Sequence, residues 1–175
     1  HDGAIQAVDA VYDMGIALTA GADFANLAAL EAAAPAAGTY VTCLAIGLFD
    51  DDRLEGAARE LDLASKGQLR RLRDDGDISS KPGDVQLLLQ LPGVRARRVL
   101  VVGLGPRSDF NRRAWRKAVG AALAACLKGR SAHLAIAIER PDAMQLDDYY
   151  LGRAVADLAS AALYRVNDFK SGRRP

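Results

Sequence analysis

The sequence predicts an α/β three-layer sandwich, a mixed and mostly parallel sheet with helices on both faces. Two runs, Tyr40 to Phe49 and Arg97 to Leu104, are continuously apolar and rich in Val, Leu and Ile, the composition of strands covered on both sides. Other segments repeat apolar residues at three- and four-residue spacing, as amphipathic helices do. The order is strand, helix, two strands, helix, strand, helix, and such alternation builds crossover-linked parallel strands.

Taken in order, residues 1 to 38 are Ala-rich, with a short strand expected at Ile16 to Ala20 and a helix from Asp23, its capping residue, to Ala34 before Pro35. The Tyr40 to Phe49 strand, bounded by Gly38 and Asp50 to Asp52, is expected at the centre of the sheet. Leu54, Ala57, Ala58, Leu61 and Ala64 mark a helix that ends or bends at Gly67, and Leu69 and Leu72 continue its stripe. A polar turn from Asp74 to Gly83 delivers the chain into a strand at Asp84 to Leu91. The turn at Pro92 and Gly93 makes that strand and the next, Arg97 to Leu104, an antiparallel pair. A helix follows from Phe110 to Lys128, with Asp109 as its expected N-cap and Ala114, Ala118, Ala121, Ala122 and Ala125 allowing close approach to the sheet. The last elements are a strand at Ala132 to Ile138 and a helix at Asp147 to Tyr164, with Tyr150, Leu151, Val155, Leu158 and Ala162 on one face.

At 175 residues, half of them apolar, the chain suits one domain that buries roughly 70% of its unfolded surface. The net charge of +1 hides an asymmetry: eight acidic residues, from Asp2 to Asp52, precede the first basic residue, Arg53. The acidic arm reads as solvated, with contact to the basic remainder as the alternative. No apolar run is long enough to cross a membrane, and the basic start of a signal peptide is missing. Cys43 and Cys126 sit in apolar segments and read as small core residues, not as a disulfide framework or metal ligands, so a reducing, cytoplasmic setting is expected. The chain opens on His1 and closes on Gly172-Arg173-Arg174-Pro175, and both ends read as cuts.

The signals for chemistry are weak. Gly103-Leu104-Gly105 stands between a strand and a helix, where a dinucleotide fingerprint would sit, but Pro106 intrudes and Ser108 replaces the third glycine. A tight turn explains the pair without a ligand. The Asp50 to Asp52 cluster reads as a solvated turn in preference to a cation site, and neither His1 nor His133 has partners at metal-ligand spacing. Arg95, Arg97, Arg98, Arg107, Arg112, Arg113, Arg116 and Lys117 could form one basic patch for nucleic acid, although a solvated helix face is the simpler reading. No nucleophile elbow or phosphate loop is present, and no catalytic, cofactor-binding or metal-binding residue is assigned to this chain.

One longer pattern does stand out. Ser80-Lys81-Pro82-Gly83, an apolar strand to Leu91, the turn Pro92-Gly93-Val94, and Arg98-Val99-Leu100-Val101-Val102-Gly103-Leu104-Gly105 follow one another in order. With Gly47-Leu48-Phe49 before them and Arg113-Ala114 and Lys117-Ala118 after, they resemble the N-terminal domain of the leucyl aminopeptidase (cytosol aminopeptidase) family. The exit Tyr164-Arg165-Val166-Asn167-Asp168-Phe169-Lys170-Ser171 resembles the family's link into its catalytic domain, imperfectly. The similarity covers residues 40 to 171, which divides the chain into 1–38 (an extension, or a divergent first strand and helix), the α/β domain 39–164 and a linker 165–175.

The resemblance implies a macro-domain-like fold and a non-catalytic role in a two-metal peptidase that releases N-terminal residues such as leucine. It places the two divalent metals, manganese or zinc, and the catalytic residues in a C-terminal domain beyond Pro175, leaving no cofactor in this chain. It also implies a hexamer in which this domain organises assembly or restricts access to the active sites, with peptides as substrates of the parent. Two alternatives come with it: a macro-type module binding ADP-ribose, and an accessory domain binding DNA.

Overall fold

The computed structural model describes residues 16–18, 43–51, 53–129, 134–138 and 148–168, of which 16–18, 148–149 and 163–168 are described as backbone alone. The expected helix at Asp23 to Ala34, Asp52, both histidines and the chain after Asp168 lie outside the described residues.

Among the described residues the sheet has five strands, β1 (Ile16–Leu18), β2 (Cys43–Phe49), β3 (Val85–Leu89), β4 (Arg98–Gly105) and β5 (Leu134–Ala137), in the order β1-β5-β2-β4-β3. The apolar run ending at Phe49 is the central strand, as its composition requires. It pairs in parallel with β4, Cys43 opposite Arg98, and with β5, Cys43 opposite Leu134. β1 is parallel to β5, while β3 and β4 form the expected antiparallel pair with Val85 opposite Val102.

Strand alternation sorts the core into two layers. Leu44, Ile46, Leu48, Val99, Val101, Ala135 and Ala137 point to one face, where Ala57, Ala58, Leu61 and Leu69 of helices α1 (Gly56–Ala64) and α2 (Gln68–Asp74) cover them. Cys43, Ala45, Leu100, Val102, Leu104, Leu134 and Ile136 point to the other face, under α3 (Arg112–Lys128) and α4 (Asp148–Asp168). The helices α3 and α4 also touch each other, and a Cβ at Gly120 would lie in ordinary contact with Leu158, 3.6 Å away. This is the three-layer arrangement that the sequence predicts. Both cysteines are buried in the α3/α4 layer.

Two local details differ from the sequence-based expectation, and a third joins two helices. The N-cap of α3 is Asn111, not Asp109: the Asn111 side-chain oxygen accepts from the amides of Arg113 (2.9 Å) and Ala114 (3.1 Å). Asp109 instead ends a single 3-10 turn, Arg107–Asp109, where its amide donates to the Pro106 carbonyl. Helix α4 continues past Tyr164 to Asp168, because Arg165-Val166-Asn167 contains no helix breaker. Finally, α1 and α2 are held together by Asp62, 6% exposed, whose carboxylate accepts the Arg70 amide at 2.9 Å and lies 3.7 Å from the Arg70 guanidinium. A carboxylate on one helix thus caps the first turn of the next.

The layering makes a direct prediction. Leu61 is fully buried and Leu63, on the same helix, is 63% exposed. Leu61→Ala should lower unfolding free energy by about 2–5 kcal/mol in a denaturant titration. Leu63→Ala should stay within about 0.5 kcal/mol of the parent chain.

Candidate functional site at the carboxyl ends of the central strands

In open α/β sheets ligands gather where parallel strands end. Here the ends of β2 and β4 meet the loop Ser80-Lys81-Pro82-Gly83, and the loop lies directly on the β4 backbone. The Gly105 amide donates to the Ser80 carbonyl at 2.8 Å, the Gly83 amide to the Gly103 carbonyl at 2.9 Å, and the Gly103 amide to the Asp84 carbonyl at 2.8 Å. A Cβ on Gly103 would fall 2.1 Å from the Lys81 carbonyl oxygen. One on Gly105, whose φ is +75°, would fall 2.5 Å from Pro82 Cγ. The glycine pair therefore serves close contact with the loop, and the Gly105 amide is taken by the Ser80 carbonyl. From the other side, the Lys117 ammonium donates to the Pro82 carbonyl at 2.9 Å.

Arg107 closes the neighbouring strand end. Its guanidinium lies 4.0 Å from the centre of the Phe49 ring, and Phe49 meets Phe110 edge-on at 5.0 Å. The same guanidinium pairs with Asp51 at 3.0 Å and Glu55 at 3.2 Å. Asp51 further accepts the Arg53 amide on its carboxylate (3.2 Å) and an Arg73 guanidinium N–H on its carbonyl (3.1 Å). Asp50 accepts the Ser80 hydroxyl at 3.0 Å, and its amide donates to the Gly105 carbonyl at 3.0 Å. The acidic turn is consequently a junction of β2, β4, α2 and the Ser80 loop, with cationic and hydroxyl partners already in place. Among the described residues, no three His, Cys, Asp or Glu side chains converge as a metal site would require.

The eight basic residues do not make one patch. Arg107 is engaged with Asp51 and Glu55, Lys117 with Pro82, and the Arg112 guanidinium lies 4.6 Å from the centre of the Tyr150 ring. Arg98 sits at the opposite end of β4, donating to the Gly129 carbonyl past the last turn of α3 at 2.5 Å. Arg95 and Arg97 lie in the turn before it. A 17-residue helix separates the two groups, about 25 Å by its rise.

Sequence reasoning did not single out Glu55, Ser80, Phe49 or Phe110 as parts of this junction. Only an Asn immediately before a helical stripe, at Asn111, carried a readable local signal. A graded mutational response follows. Gly103→Ala and Gly105→Ala, which drive a Cβ into backbone or ring atoms, should each cost more than about 1 kcal/mol and increase proteolytic cutting between Ser79 and Gly83. Arg107→Ala, which removes a partly exposed ion pair and a ring contact, should cost about 1 kcal/mol or less. Thermal unfolding combined with limited trypsin or subtilisin digestion measures both.

Known proteins supply the wider comparison. The family model for the cytosol aminopeptidase family, N-terminal domain, matches residues 45–173. A probable cytosol aminopeptidase of Halorhodospira halophila (strain DSM 244 / SL1) is 36% identical over 133 residues, which is 76% of this chain and 27% of that protein. One from Ralstonia pickettii (strain 12J) is 38% identical over 143 residues, 82% of this chain and 28% of that protein. One from Xanthomonas axonopodis pv. citri (strain 306) reaches 47% over 93 residues, 53% of this chain and 19% of that protein. The first two relatives are thus spanned to about a quarter of their length. Among solved structures, a macrodomain protein from Streptomyces coelicolor aligns with 86% of this chain and 92% of its own, at TM-score 0.46 and 18% identity. The interlocked Lys81-Pro82-Gly83 turn and Val102-Gly103-Leu104-Gly105 strand end both fall inside the matched stretch, and the chain belongs to the cytosol aminopeptidase family as its N-terminal domain.

Proposed function

We propose that the whole protein is a cytoplasmic two-metal aminopeptidase releasing N-terminal residues such as leucine from peptides, and that this chain is its non-catalytic N-terminal domain. The observation that carries this is the family match across residues 45–173, on relatives named as probable cytosol aminopeptidases. In this reading the manganese or zinc ions are held by the remaining three quarters or so of the protein, not by the described residues, which bring no suitable donor set together. The chain's part is assembly of a hexamer or control of access to its active sites.

The strand-end junction supports a scaffold role over a binding one. Its carboxylates and guanidinium groups are engaged with one another, and the Gly103 and Gly105 amides are taken by the Asp84 and Ser80 carbonyls. The basic residues divide between two ends of the domain, so a DNA-binding role would rest on Arg107, Arg112, Arg113, Arg116 and Lys117 without Arg98. No helix of the described residues is long and apolar enough to cross a membrane.

An activity comparison tests the proposal. With leucine amide or leucine anilide and added manganese or zinc, the full-length protein should turn over substrate while the 175-residue chain gives only the blank rate. Turnover by the 175-residue chain, abolished by chelation, would overturn it.

A further inference from the structure

We propose that the open edge of β3 pairs with the same edge of a second copy of this chain, antiparallel and about a two-fold axis through Leu87. The inference stands on the geometry of the strand and not on the peptidase reading. Among the described residues β3 ends the sheet, with β4 on one side and no strand on the other. The Gln90 amide donates to the Arg97 carbonyl and the Gly103 amide to the Asp84 carbonyl, so even-numbered residues bond to β4. In an antiparallel ladder the intervening residues, Val85, Leu87 and Leu89, then turn their amides and carbonyls to the open edge.

Those three residues also share one face, and on it Leu87 is 49% and Leu89 63% exposed. Edge strands usually discourage pairing with a lysine, a proline or a bulge. The run Val85-Gln86-Leu87-Leu88-Leu89 has no lysine or proline, and its pairing with β4 is unbroken.

The occupant is selected by self-complementarity. A two-fold through Leu87 sets Leu87 beside its own copy and Val85 beside the other copy's Leu89, so apolar side chains meet apolar side chains. The ends of the strand are of opposite charge, with Asp84 before it and Arg95 and Arg97 in the turn after it. Antiparallel pairing brings the acidic end of one copy to the basic end of the other, whereas parallel pairing would bring like to like. Five residues of edge make a small interface, which predicts a reversible dimer of micromolar strength.

Sedimentation velocity of the 175-residue chain across the micromolar range should show a monomer–dimer equilibrium. The double variant Leu87→Lys, Leu89→Lys should weaken it at least about tenfold by placing like charges opposite one another. Leu63→Lys, on the opposite face, should leave it unchanged. Circular dichroism establishes that each variant is folded. As a register test, Leu87→Cys should form an intermolecular disulfide under mild oxidation, since partners about 5.5 Å apart at Cα are within bridging range. Leu63→Cys should not. A chain that stays monomeric throughout, a dimer indifferent to the double lysine change, or equal crosslinking at positions 63 and 87 would overturn the proposal.

Discussion

The contact on which the described structure turns is the seating of Ser80 to Gly83 on the backbone of Gly103 and Gly105. It does three things at once. It engages the end of β4 through the Gly105 amide and the Gly103 carbonyl, it leads into β3 where the Asp84 carbonyl takes the Gly103 amide, and it places Ser80 against Asp50 at the end of the central strand. The two amides involved would otherwise be buried without a partner, at a cost of about 1–3 kcal/mol each. Because a side chain at Gly103 would need to occupy the same space as the Lys81 carbonyl, the arrangement admits little compromise.

Much of the fold could be read from the chain because it is encoded in short-range periodicity. The β2 and β4 runs lack helical spacing and carry β-branched and aliphatic residues on both faces, so their central position follows from burial alone. Leu54, Ala57, Ala58 and Leu61 fall on one stripe and do pack together. Boundaries were less legible. Whether Asp109 or Asn111 caps α3 depends on the intervening 3-10 turn, whose existence is decided by Pro106 and the end of β4 and not by the residue preference of either candidate.

The site was less legible than the fold, since its decisive contacts join residues far apart in the chain. Arg107 looks like one of a row of surface cations until β2 brings Asp51 and Phe49 beside it, 56 positions away in the case of Asp51. Asp62 likewise looks like a solvated helix residue until α2 folds back and presents the Arg70 amide to it. In both cases composition gives the charge and tertiary structure gives the role. The basic group fails as a single surface for the same reason: neighbours in sequence around Arg98 and Arg107 are at opposite ends of one strand.

This long-range character also explains why the family pattern is convincing only as a whole. A Lys-Pro-Gly turn occurs wherever a chain must reverse, and Val-Gly-Leu-Gly is an ordinary way to end a buried strand. In the structure the two are halves of one contact, since Pro82 lies where a Gly105 side chain would be and the Lys81 carbonyl where a Gly103 side chain would be. Each motif is therefore required by the other at a fixed place in the fold, and neither requires a ligand. A pattern of this kind identifies a scaffold before it identifies a chemistry. Among the described residues the glycine-rich turn is filled by the chain's own atoms, whereas Leu87 and Leu89 on the neighbouring β3 stand largely in solvent.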